Sequence, residues 1–278
     1  MTNRNDLASA FRALHIPGTP LVLPNAWDAV SARLVEEAGA AAVATTSAGV
    51  VWALGAPDGE RVDRDAALEA VARIARAVTV PVTADIESGY AEDAAGVADT
   101  VRAVLAAGVV GVNIEDALYD VGVGAGGPLR DVEEQAGRIA AAREAADAAG
   151  VPLFVNARTD TFLSGAGGVD STLERAAAYR AAGADGIFVP GAVDPGIVKE
   201  LVDGVDGPLN VMAGPGAPPV AELAALGVAR VSVGSGVAQA AHALVRRAAR
   251  ELLDTGTYGS LADALDYGEV NALLARGR

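Results

Sequence analysis

Eight times along this chain a short run rich in Val, Ile, Leu and Ala is followed by an Ala-rich stretch with apolar residues three and four apart, and this alternation restricts the fold more than any other feature. The runs are Leu21–Pro24, Ala41–Thr46, Val80–Asp85, Val110–Glu115, Pro152–Ala157, Gly186–Pro190, Leu209–Met212 and Arg230–Val233. They read as strands, and the stretches between them, such as Asp65–Ala77, Asp93–Ala107, Asp131–Ala149, Ser171–Ala182 and Gln239–Leu253, read as amphipathic helices. Several helices close on one phrase: Glu37-Ala38-Gly39-Ala40, Ala107-Gly108-Val109, Ala149-Gly150-Val151, Ala182-Gly183-Ala184 and Leu226-Gly227-Val228. Glycine past the last helical turn takes the left-handed conformation that ends a helix, so each phrase marks a stop leading into a strand.

Parallel strands joined by crossover helices, eight units in about 250 residues, predict a closed (β/α)8 TIM barrel. An open doubly wound sheet has fewer strands, and no Gly-x-Gly-x-x-Gly follows the first run. With no linker or composition shift, residues 1–278 form one expected domain, and 51% apolar content supplies its core. Two pieces lie outside the eight units: an N-terminal helix, Asn5–Leu14, and a C-terminal extension, 256–278, opened by Gly256-Thr257-Tyr258-Gly259. Its helix, predicted over Leu261–Ala275, carries an apolar face that needs cover from its own barrel or a neighbour.

Composition then narrows the chemistry. Without cysteine, and with only His15 and His242 as histidines, thiolate nucleophiles, disulfides and Cys- or His-built zinc sites are excluded. A net charge of −15 repels nucleic acid and anionic lipid, so neither is an expected partner. No leader or membrane-length apolar run is present, which makes a cytoplasmic protein the expectation.

Barrel active sites lie at the carboxyl ends of the strands, and here those ends are acidic. The third run leads into Asp85-Ile86-Glu87-Ser88-Gly89-Tyr90, the fourth into Asn113-Ile114-Glu115-Asp116, and the fifth into Asn156-Ala157-Arg158-Thr159-Asp160. Strand alternation aims Asp85 and Glu87 the same way, with Glu115 beside them, and three carboxylates together call for a divalent cation. All-oxygen ligands favour Mg²⁺ or Mn²⁺. Asp93 and Asp131 read instead as helix caps, and Pro57-Asp58-Gly59 is both a turn signal and a source of a further acid. Arg158 suits a two-bonded grip on a carboxylate or phosphate, or an ion pair with Asp160 or Glu115. Ser47-Ala48-Gly49 offers small residues and free N–H groups for a second acidic group, and Asn113 and Asn210 complete the expected substrate-binding set.

At these residues, together with Leu23-Pro24-Asn25-Ala26-Trp27-Asp28, the sequence resembles the isocitrate lyase/phosphoenolpyruvate mutase superfamily over nearly its whole length. The resemblance implies Mg²⁺ at Asp85, Glu87 and Glu115, with Asp58 reaching the metal's waters, and chemistry through the enolate of an α-oxo acid. It implies that Ser47, Ala48 and Gly49 bind the substrate carboxylate and that Arg158 holds the transferring or leaving group. It also implies a homo-oligomer, dimer or tetramer, that exchanges a C-terminal helix between barrels.

The departures matter as much. The Lys-[Lys/Arg]-Cys-Gly-His loop of the isocitrate and methylisocitrate lyases is replaced by Ala117-Leu118-Tyr119-Asp120-Val121-Gly122-Val123-Gly124, and the Asn-Ser-type loop of the phosphonomutases is absent as well. Tyr90, Tyr119 and metal-bound water are the remaining candidate acids. Gly122, Gly124, Gly126 and Gly127 suggest a lid, or else an exposed connection. The expected function is a Mg²⁺-dependent lyase cleaving a C–C bond of a small anionic α-oxo or 2-hydroxy acid by decarboxylation or retro-aldol chemistry. Two alternatives stand beside it: a phosphonomutase-type isomerase, and a dicarboxylate-binding barrel without turnover.

Overall fold

The computed structural model describes residues 3–119 and 127–275. Its strands are β1 (Leu21–Leu23), β2 (Asn25–Ala26), β3 (Val43–Thr45), β4 (Val82–Asp85), β5 (Gly111–Glu115), β6 (Phe154–Arg158), β7 (Gly186–Val189), β8 (Leu209–Met212) and β9 (Arg230–Ser232). Its helices are α1 (Arg4–Ala13), α2 (Ala29–Glu37), α3 (Ser47–Ala53), α4 (Arg64–Ala77), α5 (Ala94–Ala106), α6 (Val132–Ala148), α7 (Thr161–Ser164), α8 (Val169–Ala181), α9 (Pro195–Gly204), α10 (Val220–Leu226), α11 (Gly236–Thr255) and α12 (Tyr267–Ala275).

All strand pairs are parallel, in the order β1-β9-β8-β7-β6-β5-β4-β3-β2. Pro24 separates β1 from β2 because proline has no N–H to give the ladder. The first segment pairs with β9 (Leu21↔Arg230) and the second with β3 (Asn25↔Ala44), so the pair fills one strand position and the ring of eight closes. Between strands and helices lies an apolar wall that includes Val71, Ile74, Val104, Ile139 and Leu201, all buried. The helix signals behave as the sequence predicts. Asp93 accepts the Gly96 N–H at 2.8 Å and Asp131 those of Glu133 and Glu134, capping α5 and α6, and Gly108 after α5 has φ +90°.

The chain's last part differs from expectation. Residues Leu261–Ala275 do not form one helix: a 3-10 turn at Gly259–Leu261 precedes α12, whose Leu273 is buried where Arg33 of α2 donates to its carbonyl at 3.1 Å. The preceding α11 buries only Ala238 and leaves Val245 65% and Leu253 83% exposed. Val22, on the outer face of β1, is itself 42% exposed, beside a cavity of about 470 Å³ lined by Leu14, Ile16, Pro20 and Val35. The outer face of β1 at Val22 is thus only partly covered. Among the described residues no helix is long and apolar enough to cross a membrane.

Candidate active site

The rim is built from strand ends. Asp85 is the last residue of β4; its Oδ2 accepts from Ser47 Oγ at 3.0 Å and the Ser47 N–H at 3.4 Å, while its own N–H donates to Thr45 Oγ1 at 2.9 Å. Asp85 Oδ1 is buried with no hydrogen-bond partner among the described residues. Glu115 closes β5 and is 1% exposed; its Oε2 is ion-paired with Arg158 Nη1 at 2.5 Å, and its buried Oε1 has no partner among the described residues. Arg158 ends β6 and is gripped from the other side by Asp160, which takes Nε at 2.6 Å and Nη2 at 2.7 Å. Both ion pairs that the sequence allows for Arg158 therefore form. Asp160 is held in turn by buried Asp116, which accepts the Asp160 N–H at 2.9 Å and also bonds Arg175 and Tyr179.

Glu87 is where the alternation argument fails. The strand stops at Asp85 and Glu87 takes φ +51°, so the pleat does not set where its side chain points, although the charges of Asp58 and Asp85 act on it. Its Oε2 accepts the Glu60 N–H at 2.5 Å and its Oε1 the Tyr90 hydroxyl at 2.6 Å. Glu60 reciprocates, its Oε1 accepting from Ser88 N–H (3.0 Å), Ser88 Oγ (2.8 Å) and Tyr90 N–H (2.8 Å). Arg138 braces the same loop through the carbonyls of Ser88, Ala91 and Glu92. Glu60, Glu87 and Tyr90 are also the non-glycine residues with positive φ among those described. Each such residue costs about 1–3 kcal/mol, so backbone strain is concentrated in this one interlock and held there by its hydrogen bonds.

Asp85, Glu87 and Glu115 are consequently not a ready-made chelate. Among the described residues no group of three or more Asp, Glu or His side chains stands close enough to hold one ion directly. The donors present nonetheless fit a hydrated divalent cation. Asp85 Oδ1 and Glu115 Oε1 are orphaned carboxylate oxygens, and Mg²⁺ characteristically keeps several waters while taking one or two carboxylates. The electrostatics agree. Burial, then the charges of Asp58 and Asp85, push the Glu87 acid up to about 8, against the hydrogen bond from Tyr90. Burial likewise raises Glu115, against Arg158. Asp58, open to solvent but ringed by protein, is raised by desolvation and by Asp85.

This gives a pH prediction for the ligand-free protein. Between the ordinary value of 4.5 and about 8, folded Glu87 holds a proton that the unfolded chain has released. The stability it contributes is complete below the lower value and is lost as pH rises through the upper one, at about 1.4 kcal/mol per pH unit in that window. Glu87→Gln is expected to show a smaller fall in melting temperature from pH 6 to pH 9; equal slopes would exclude Glu87 as the titrating group.

Other expected site residues fall in different places. Ser47, Ala48 and Gly49 form the first turn of α3 rather than an open turn, and a Cβ at Gly49 would lie 2.8 Å from Thr46 Cγ2 and Trp27 Cβ, so packing alone demands glycine there. Asn113 and Asn210 do not end their strands: Asn113 is in register with Asp85 but two residues short of Glu115, and Asn210 is the second residue of β8. They sit inside the barrel below the strand ends, 5% and 1% exposed, with their side chains hydrogen-bonded to neighbours. Tyr90 is a poor proton donor, since burial and the Glu87 contact raise its pKa far above the ordinary value. It lines, with Tyr119, Glu60, Arg64 and Arg130, a cavity of about 600 Å³ whose described lining lacks Asp85, Glu115 and Arg158. Of the lid glycines, Gly122, Gly124 and Gly126 lie outside the described residues; the base of that loop is closed by an Ala117↔Leu129 bridge.

Two residues escaped the sequence reading. Glu60 follows a Pro-Asp-Gly turn signal and gives no hint that it takes a left-handed conformation. Arg230 opens a strand, and only closure of the barrel reveals that it is fully buried.

Comparison with known proteins is consistent with this geometry. A family model described as phosphoenolpyruvate phosphomutase matches residues 11–253. An uncharacterized protein of Mycobacterium tuberculosis (strain ATCC 25618 / H37Rv) is 38% identical over 95% of this chain and 96% of its own. Oxaloacetate decarboxylase of Ectopseudomonas mendocina (strain ymp) is 34% identical over 76% of this chain and 71% of its own. Among solved structures, a candidate lyase/mutase from Burkholderia cenocepacia J2315 superposes with a TM-score of 0.90 at 40% identity, covering 98% of this chain and 96% of that one. Phosphonopyruvate hydrolase in complex with oxalate and Mg²⁺ gives 0.84 at 28% identity, over 97% and 95%.

Proposed function

This chain belongs to the phosphoenolpyruvate phosphomutase family, and we propose that within it the protein is a Mg²⁺- or Mn²⁺-dependent lyase that cleaves a C–C bond of a small α-oxo or 2-hydroxy di- or tricarboxylate. One observation carries this: half-buried Asp85 and fully buried Glu115 each keep a buried oxygen without a hydrogen-bond partner among the described residues, on the rim that also holds Arg158. The cation would be held by Asp85 and Glu115, with Asp58 and Glu87 engaging its waters, and would supply positive charge for an enolate-like intermediate.

The chain's own groups do the rest. Asp160 occupies Nε and Nη2 of Arg158, so the Nη1 edge that meets Glu115 is the one a substrate carboxylate would take. Ser47 fixes the orientation of the Asp85 carboxylate by donating to Oδ2. The Glu60–Glu87–Tyr90 interlock holds the rim loop and keeps the Tyr90 hydroxyl donating to Glu87. Decarboxylation is the least demanding chemistry here, because the proton that replaces CO₂ can come from solvent. The similarity to oxaloacetate decarboxylase supports the same choice.

Calorimetric titration with oxalate, with and without Mg²⁺, tests the site: binding is expected only with the metal, and indifference to it would remove the proposal. Oxaloacetate, alkylmalates and phosphonopyruvate followed by NMR then test the reaction. Isomerisation of the phosphonate instead of C–C cleavage would make the protein a mutase.

We also propose that the protein is cytoplasmic and a homo-oligomer in which α11 seats on a neighbouring barrel, while α12, which the tail reading paired with it, docks on its own α2. The exposed apolar residues of α11 and the partly uncovered wall at Val22 support this. Light scattering on the full chain is expected to give a dimer or tetramer, and Val245→Asp with Leu253→Asp a monomer. A monomeric wild type would refute the exchange.

A further inference from the structure

The middle of the barrel contains a ring of hydrogen bonds that the chemistry above does not use. Arg230 Nη2 donates to Asn113 Oδ1 at 3.2 Å, and the same oxygen accepts from Asn156 Nδ2 at 2.9 Å. That amide also donates to Asn210 Oδ1 at 3.1 Å, and Asn210 Nδ2 donates back to the Arg230 carbonyl at 3.2 Å. Four strands, β5, β6, β8 and β9, are thereby joined across the interior.

Arg230 is the anomalous member. It is 1% exposed, its single side-chain hydrogen bond goes to a neutral amide, and its Nε and Nη1 have no partner among the described residues. A buried guanidinium matched this poorly destabilises a fold, and an apolar side chain of similar length in its place is neutral or stabilising. Packing therefore gives no reason for arginine here. Its position does. Asn113, which it grips, is in register with Asp85 and lies two residues before Glu115, so the guanidinium meets a residue level with Asp85 and one inward-facing step below Glu115.

We infer that Arg230 is a positioning residue for the anionic substrate: a fixed positive charge under the rim that, with Arg158, makes an otherwise acidic mouth receptive to a small polyanion. The inference rests on the reading of the rim as a metal and carboxylate site. In the barrel's low dielectric such a charge acts over several ångströms, attracting the anion and opposing the divalent cation. Its removal should therefore change the two affinities in opposite directions, which a merely structural residue would not do.

The test uses the full-length Arg230→Met protein, which loses the charge, and Arg230→Lys, which keeps it. Arg230→Met is expected to melt at or above the wild-type temperature without ligand and to bind Mg²⁺ alone at least as tightly. At saturating Mg²⁺ its oxalate affinity should fall at least about tenfold, while Arg230→Lys stays within about threefold of wild type. A lower melting temperature with oxalate affinity intact, or weakened Mg²⁺ binding, would overturn the inference and make the ring a structural brace. If wild-type protein itself fails to bind oxalate with Mg²⁺, the substrate reading falls, and Arg230 is judged on melting and Mg²⁺ binding alone.

Discussion

Asp85→Ala is expected to abolish turnover, by at least about a thousandfold, and with it the Mg²⁺ dependence of oxalate binding, while the barrel stays folded. The size follows from the several kcal/mol that a bound cation contributes to a charge-developing step. Folding survives because the carboxylate is only partly buried and its lost partner, Ser47, sits on the same rim where water can replace it. Stability should hold, because Asp85 pushes the acids of Glu87, Glu115 and Asp58 upward but also favours the charged guanidiniums of Arg158 and Arg230, and the two effects oppose each other. Steady-state kinetics and a melting curve on one preparation suffice. Retained turnover would mean that the orphaned Asp85 oxygen has no part in the reaction.

Arg158→Met acts in the opposite sense on stability. Removing the guanidinium leaves Glu115 buried without a counter-ion and Asp160 without its two hydrogen bonds. Breaking a buried pair from one side costs about 3–5 kcal/mol, because the remaining charge stays desolvated. Activity should vanish too, but stability is the diagnostic. Arg158 is the chief group holding the Glu115 acid down against burial, so in the variant that acid rises further. A raised acid gives stability that is present at low pH and lost as pH increases, so the deficit should be smaller at pH 5 than at pH 8. Adding Glu115→Gln should recover part of it. Denaturant unfolding of the two single variants and the double variant measures this coupling, and strict additivity would show that the pair is not energetically linked.

The site was half legible in the sequence, for reasons that differ residue by residue. Asp85, Glu115 and Arg158 could be placed because each ends a strand, and in a parallel barrel strand ends share one rim. Glu87 could not, because the pleat argument assumes extended backbone and Glu87 is left-handed. Asn113 and Asn210 carry the right chemistry for substrate binding but stand too early in their strands, so closure buries them. The single tail helix was drawn too long because apolar spacing continues through residues where the backbone turns.

By itself, the amino-acid order determined the number of β/α units, the helix caps and stops, and the acidic character of one barrel end. These are local matters of propensity, periodicity and the conformational freedom of glycine, each decided within a few residues. Only the tertiary structure decided which acids keep a free oxygen, that Glu60 and Glu87 clasp each other, and that Arg230 lies unmatched beneath the rim. Those depend on which groups from distant segments are brought together and shut away from water, since charge and hydrogen-bonding demand become costly only once solvent is excluded.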